Sequence, residues 1–239
     1  MAHISRKELK KDEVRETFAH GAEAVLSHQT LTIYLLSLAI IVAAAVLSYR
    51  LYSERQDVKA SAAYDVAMQS FSAPIATAAA PAQPGTLTFT DEKTKYTDAA
   101  TKFTTLANSY PHTHDGTLAK YFAAVSDEHI GKDDDAKRLL SQLATSSDIE
   151  FAAMGKYELA QLQDRTGQSG EAVKLYQELI DKPTVLVPKS LAMLALAQHY
   201  IQSDPAQASR LFSQIKTDYP DTPIAEQADQ GLSMIPGKS

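Results

Sequence analysis

Between Leu31 and Tyr49 the chain reads LTIYLLSLAIIVAAAVLSY, dominated by apolar residues and without a charge. At about 1.5 Å per helical residue this run is about 28 Å long, close to the hydrocarbon thickness of a bilayer. A buried helix of a soluble core would have to be apolar on every face for five turns. A cleaved signal peptide has a shorter lead and a shorter apolar core than these thirty residues and this run. The pattern therefore predicts an uncleaved anchor over 31–52. No Gly or Pro occurs from Ala22 to Ala73, so the helix has no stop signal at Tyr49. It is expected to continue through 53–72, where Val58, Ala62 and Val66, and then Tyr64, Ala67 and Phe71, recur at helical spacing. Pro74, Pro81, Pro84 and Gly85 then break the pattern, and 73–90 reads as a Pro/Ala-rich insert with little capacity to bury a core.

From 91 to 239 the polar and apolar positions are helical and repeat. LAQLQDRTGQSGEAVKLYQELIDKP from Leu159 and LAQHYIQSDPAQASRLFSQIKTDYP from Leu196 share an opening, a polar turn, an alanine followed four residues later by an aromatic, and a closing proline. Weaker copies place Ala136 ahead of Leu140 and Ala99 ahead of Phe103. The landmark alanines Ala99, Ala136, Ala172 and Ala208 stand about 36 residues apart, close to the tetratricopeptide period of about 34. Antiparallel helices approach closely only where small side chains meet. Ala124, Ala160 and Ala197 on first helices are therefore expected to face the landmark alanines on second helices. Gly131 and Gly167 suit the turns within repeats, the prolines stop the second helices, and Asp133 reads as a helix cap. Thr222 to Met234 reads as a terminal capping helix. The expected fold is all-α: a transmembrane helix followed by a tetratricopeptide-like α-solenoid of about four hairpins with a C-terminal capping helix.

Composition narrows the function. The net charge is −6, and residues 1–30 hold five basic and five acidic side chains, so the excess negative charge lies beyond the anchor. Without a basic stripe the chain is a poor nucleic-acid binder. Cysteine is absent, which removes disulfides, Cys–Zn sites and a Cys nucleophile. His112 and His114 in PHTHDG read as a polar linker rather than a metal pair, and Asp133-Asp134-Asp135 lacks the rest of a calcium loop. GQSGEA from Gly167 sits in an interhelical turn and is no nucleophile elbow. No enzymatic activity, cofactor or metal is expected. Arg50, Arg55 and Lys59 after the Leu31–Tyr49 run nearly balance the basic residues before it, so charge alone leaves topology open. The tail from Ser5 to Leu26 reads as a helix with a thin apolar stripe, placed at the membrane surface or against a partner.

The order of elements carries a resemblance. A charged tail with Phe18-Ala19 and Gly21, one apolar helix, a basic-flanked continuation from Arg50 to Lys59, and the repeats together resemble the YfgM-like ancillary subunit of the Sec translocon. That family belongs to the inner membrane of Gram-negative bacteria. The resemblance implies a cytoplasmic tail at 1–30, repeats in the periplasm, and association with the SecYEG channel and periplasmic chaperones. The 73–90 insert departs from the family pattern.

First helices of stacked repeats line a concave face, the default docking surface of such folds. The inward positions are Leu118, Tyr121, Val125 and Glu128, then Met154, Tyr157, Gln161 and Asp164, then Leu191, Leu194, Gln198 and Ile201. This lining is apolar and mildly acidic and lacks a Lys/Asn/Arg carboxylate clamp. It predicts an amphipathic helix or extended protein segment as ligand, held mainly by apolar contact, with the chain's own helix 55–71 as the alternative occupant. The expected role is a membrane-anchored interaction protein contacting lipid through Leu31–Tyr49. A structural subunit of a larger membrane complex, held through the anchor and tail, is the alternative.

Overall fold

A computed structural model of the chain describes residues 29–76 and 85–236. The helix expected over Ser5–Leu26 and the centre of the 73–90 insert lie outside the described residues. The chain divides into two units at Arg55, each taken here by itself.

The first helix, α1, runs from Gln29 to Ser72 without interruption, as the missing Gly and Pro anticipate. In the unit before Gln56 its apolar side chains are bare: Ile40 is 68% exposed and Leu47 60%. Nothing in this stretch is sheltered in a core, and the helix is long and apolar enough to cross a membrane. A helix apolar on all faces is at home only in lipid or against other protein.

The second unit is a stack of helices. It begins with the last turns of α1 and continues with α2 (Glu92–Ser109), α3 (His114–His129), α4 (Asp133–Ala144) and α5 (Ile149–Arg165). It closes with α6 (Ser169–Asp181), α7 (Lys189–Ser203), α8 (Pro205–Asp218) and α9 (Pro223–Ser233). Strands are absent among the described residues; one isolated parallel bridge joins Ile75 to Phe89. Around it the Ala76 amide donates to the Phe89 carbonyl (2.8 Å) and the Phe89 amide to the Pro74 carbonyl (3.1 Å). The insert is thus tied at its base, and α1 and α2 can pair across it as α3 and α4 do across a short turn.

The alanine register is the core. Ala99, Ala136, Ala172 and Ala208 are fully buried, as are Ala124, Ala160 and Ala197 and their counterpart in α1, Ala67. One turn past each landmark alanine, Phe103, Leu140, Tyr176 and Phe212 fill the space towards the next hairpin with at most 2% exposure. Gly131 and Gly167 take the positive φ (75° and 80°) that the turns demand. Pro111, Pro183 and Pro220 each stand two residues beyond the end of a second helix. Asp91, Thr113, Asp148, Asp204 and Thr222 cap α2, α3, α5, α8 and α9 by accepting backbone amides.

Two expectations need correction. Asp133 is not a cap: Lys132 holds that position without a side-chain bond, and Asp133 to Asp135 fill the first turn of α4, where the helix dipole favours carboxylates. Only one of the two apolar stripes on α1 is buried. Tyr64, Ala67 and Phe71 pack into the core, with Phe71 and Phe122 ring centroids 5.2 Å apart, whereas Val58 is 71% and Val66 50% exposed. Among the described residues α1 is the first helix of the stack, and no described hairpin covers that side.

Gly155 marks the tightest helix approach in the middle of the stack. A Cβ there would lie 2.6 Å from the Ala144 amide nitrogen and 2.8 Å from the Leu143 carbonyl carbon. Alanine gains about 1 kcal/mol of helix propensity over glycine, but overpacking against backbone costs about 1–3 kcal/mol or more. Gly155→Ala is therefore expected to lower the thermal midpoint of the full chain in detergent, read by circular dichroism; an unchanged or raised midpoint would show that α4 and α5 are not in this contact.

Candidate protein-docking groove

The predicted lining residues fall on the first helices as expected, with differing access. Leu118, Tyr121, Val125 and Glu128 on α3 are half-buried, as are Met154, Tyr157, Gln161 and Asp164 on α5. On α7, Gln198 is exposed and Leu191 and Ile201 half-buried, but Leu194 is only 4% exposed. Leu194 packs in the cluster that holds Phe212 of α8 and Ala228 of α9, so it is a core residue rather than part of an open lining. The helix expected as alternative occupant, 55–71, packs beside α3 through residues other than the predicted lining. It forms the first wall, its Tyr64 and Phe71 rings meeting Phe122 of α3 at 5.9 and 5.2 Å.

The structure joins these residues through partners that the inward-position pattern did not include. Arg165 Nη2 donates to Glu128 Oε2 at 2.6 Å, and Tyr121 Oη donates to Glu158 Oε1 at 3.4 Å. His199 Nδ1 and Asp164 Oδ1 lie 2.7 Å apart, with the imidazole nearly buried. Within α5, Gln161 Nε2 donates to Glu158 Oε2 at 3.4 Å. Glu158, Arg165 and His199 were missed because each sits one position beside the stripe. The available signal was the repeat itself: the partners are 37, 37 and 35 residues apart in sequence. A side chain on one first helix meets its neighbour about one period later.

Two clefts open along this network. One of about 400 Å³ is lined by Gln161, Asp164, Arg165, Tyr176, Ala195, Gln198 and His199, and another of about 390 Å³ by Val125, Glu128, His129 and Arg165. Burial, reinforced by the neighbouring Glu158 carboxylate, pushes the Tyr121 and Tyr157 hydroxyls up to about 12. Burial also raises Glu158, with Glu128 adding to it. The groove is therefore more polar at its floor than the sequence pattern implied. A separate cleft of about 540 Å³ on the far edge is lined by His112, His114, Phe151, Val185 and Leu186 among others. There the His114 ring packs edge-on to Phe151 at 5.0 Å, and among the described residues no group of three His, Asp or Glu is placed to hold a metal.

A family model described as a tetratricopeptide repeat-like domain matches residues 27–183, well over half of the chain. The chain belongs to the tetratricopeptide repeat-like family. The match takes in α1 and the hairpins through α6, and the fourth tetratricopeptide-like hairpin, α7 with α8, follows it in the same alanine register. No curated protein and no solved structure matches the chain. Tetratricopeptide-like repeats are protein-interaction scaffolds, which makes the first-helix face the site to interpret.

Glu158 offers a pH test of the groove. Its folded value lies above the unfolded one, so at neutral pH the folded state carries a carboxylate disfavoured by burial, and that penalty fades as pH falls through the raised value. Glu158→Gln keeps an acceptor for Tyr121 and removes the charge. The variant is expected to melt higher than the parent at neutral pH, with the gap closing on acidification; a constant gap across pH would show that Glu158 is solvated.

Proposed function

We propose that this chain is a membrane-anchored docking protein. In this reading the helix at 31–52 spans a bacterial inner membrane, the tail at 1–30 is cytoplasmic, and 53–239 is periplasmic. The repeats serve the Sec translocon and the periplasmic chaperone network as an ancillary factor. What carries the reading is that a single helix, α1, contains both a bilayer-length stretch of bare apolar side chains and the first wall of the repeat stack. The resemblance of the whole element order to the YfgM-like translocon subunit supplies the compartment and the machinery. The physical benefit of such an anchor is confinement: partners held at the same membrane meet the groove at high effective concentration without tight binding. The docking surface comprises the exposed and half-buried lining residues on α3, α5 and α7.

The exposed Val58 and Val66 stripe favours a second reading, in which the protein is a fixed subunit of a larger membrane complex. Detergent extraction after crosslinking separates the two. Transient chaperone-like partners released by salt fit the first, and a stoichiometric complex surviving high salt fits the second. Topology is checked by protease treatment of intact spheroplasts expressing the chain. The repeat domain is expected to be digested from outside, leaving a short protected fragment; digestion only after lysis would overturn the assigned orientation.

A further inference from the structure

The floor of the groove holds more carboxylate than it holds donors. Glu128 gives Oε2 to Arg165, but its Oε1 is buried with no hydrogen-bond partner. Glu158 receives only the two 3.4 Å contacts from Tyr121 and Gln161, longer than well-formed hydrogen bonds of either kind. Arg165, 57% exposed, bonds Glu128 and lies close enough to Glu158 to act on its charge, and it borders a cleft of about 390 Å³ lined by Val125, Glu128, His129 and Arg165. A buried carboxylate oxygen without a donor is costly, and an incoming cation with several N–H groups relieves it. Beside the acids stand Val125, in the lining of the same cleft, and Tyr121, bonded to Glu158, apolar surface on which the methylene stem of a long cationic side chain lies well.

We propose that the groove selects partner segments in which a Lys or Arg is set among apolar residues, the cation seating between Glu128 and Glu158. The inference rests on the docking reading above and adds the sign of the partner's charge. Charge complementarity favours this occupant over an acidic segment or a free C-terminal carboxylate. Such a ligand would meet Glu128 and Glu158, with the Arg165 charge already bonded to Glu128, and like charges at an interface cost affinity.

The test uses the full chain in phosphatidylcholine nanodiscs, with empty nanodiscs as control. The probes are two fluorescein-labelled amphipathic 16-residue peptides, one of Leu, Ala and Lys and its twin with every Lys replaced by Glu. Fluorescence anisotropy is expected to show the Lys peptide binding at least about tenfold tighter than the Glu twin, with the margin shrinking as salt rises. Glu128→Gln combined with Glu158→Gln should abolish the preference. Arg165→Gln, on a largely exposed side chain, should strengthen Lys-peptide binding, a change of opposite sign that no loss of folding imitates. Equal binding of the twins would overturn the charge inference while leaving the docking reading intact. Binding of neither peptide above the empty-disc control would overturn both.

Discussion

Close approach at small side chains is the constraint on which the repeat domain depends. Within each hairpin an alanine of the first helix and an alanine of the second are both fully buried: Ala67 with Ala99, Ala124 with Ala136, Ala160 with Ala172, Ala197 with Ala208. Each pair lies in one packed cluster. A larger side chain at any of these positions would have to push two helices apart or leave its rotamer, at about 1–3 kcal/mol. Because the helices stay close, the aromatic or leucine one turn further on reaches across to the next hairpin, and the stack propagates. The insert between α1 and α2 leaves the first pairing intact because its ends are bonded together at Ile75 and Phe89.

The same regularity builds the groove. Successive first helices stand side by side, so polar groups about one period apart become neighbours and form cross-helix pairs: Tyr121 with Glu158, Glu128 with Arg165, Asp164 with His199. These contacts tie the third first helix to its neighbours on both sides while keeping ionisable groups at the floor. Apolar contact alone would make a groove that accepts many amphipathic segments. If the groove takes a cationic segment as proposed, its acids act on partner choice and association rate more than on total affinity.

One unbroken helix carries both the bare apolar stretch and the first helix of the repeat stack. Hydrophobic burial stabilises the part of α1 after Gln56 through Ala60, Ala67 and Phe71, while the apolar side chains before it are exposed among the described residues. A helix without an internal breaker carries both stretches.

Much of this could be read in the chain itself. The uncharged apolar run, the alanine–aromatic register, the positive-φ glycines and the capping residues are local or periodic features. Helical geometry turns them into structure with little help from distant residues, so the long apolar helix, the four hairpins and the terminal helix were legible. What the chain could not disclose depends on which neighbour stands beside a given helix. Periodicity marks two apolar stripes on α1 but cannot tell that the one with Val58 and Val66 stays exposed. It places Leu194 on the inward side but not beneath a packed end covered by α8 and α9. It also separates Glu158 from Tyr121 by 37 positions, and only the stacking of α3 against α5 brings them within reach. Spacing along one helix is set by the backbone; contact between helices is set by tertiary packing, and the chemistry of the groove floor belongs to the second.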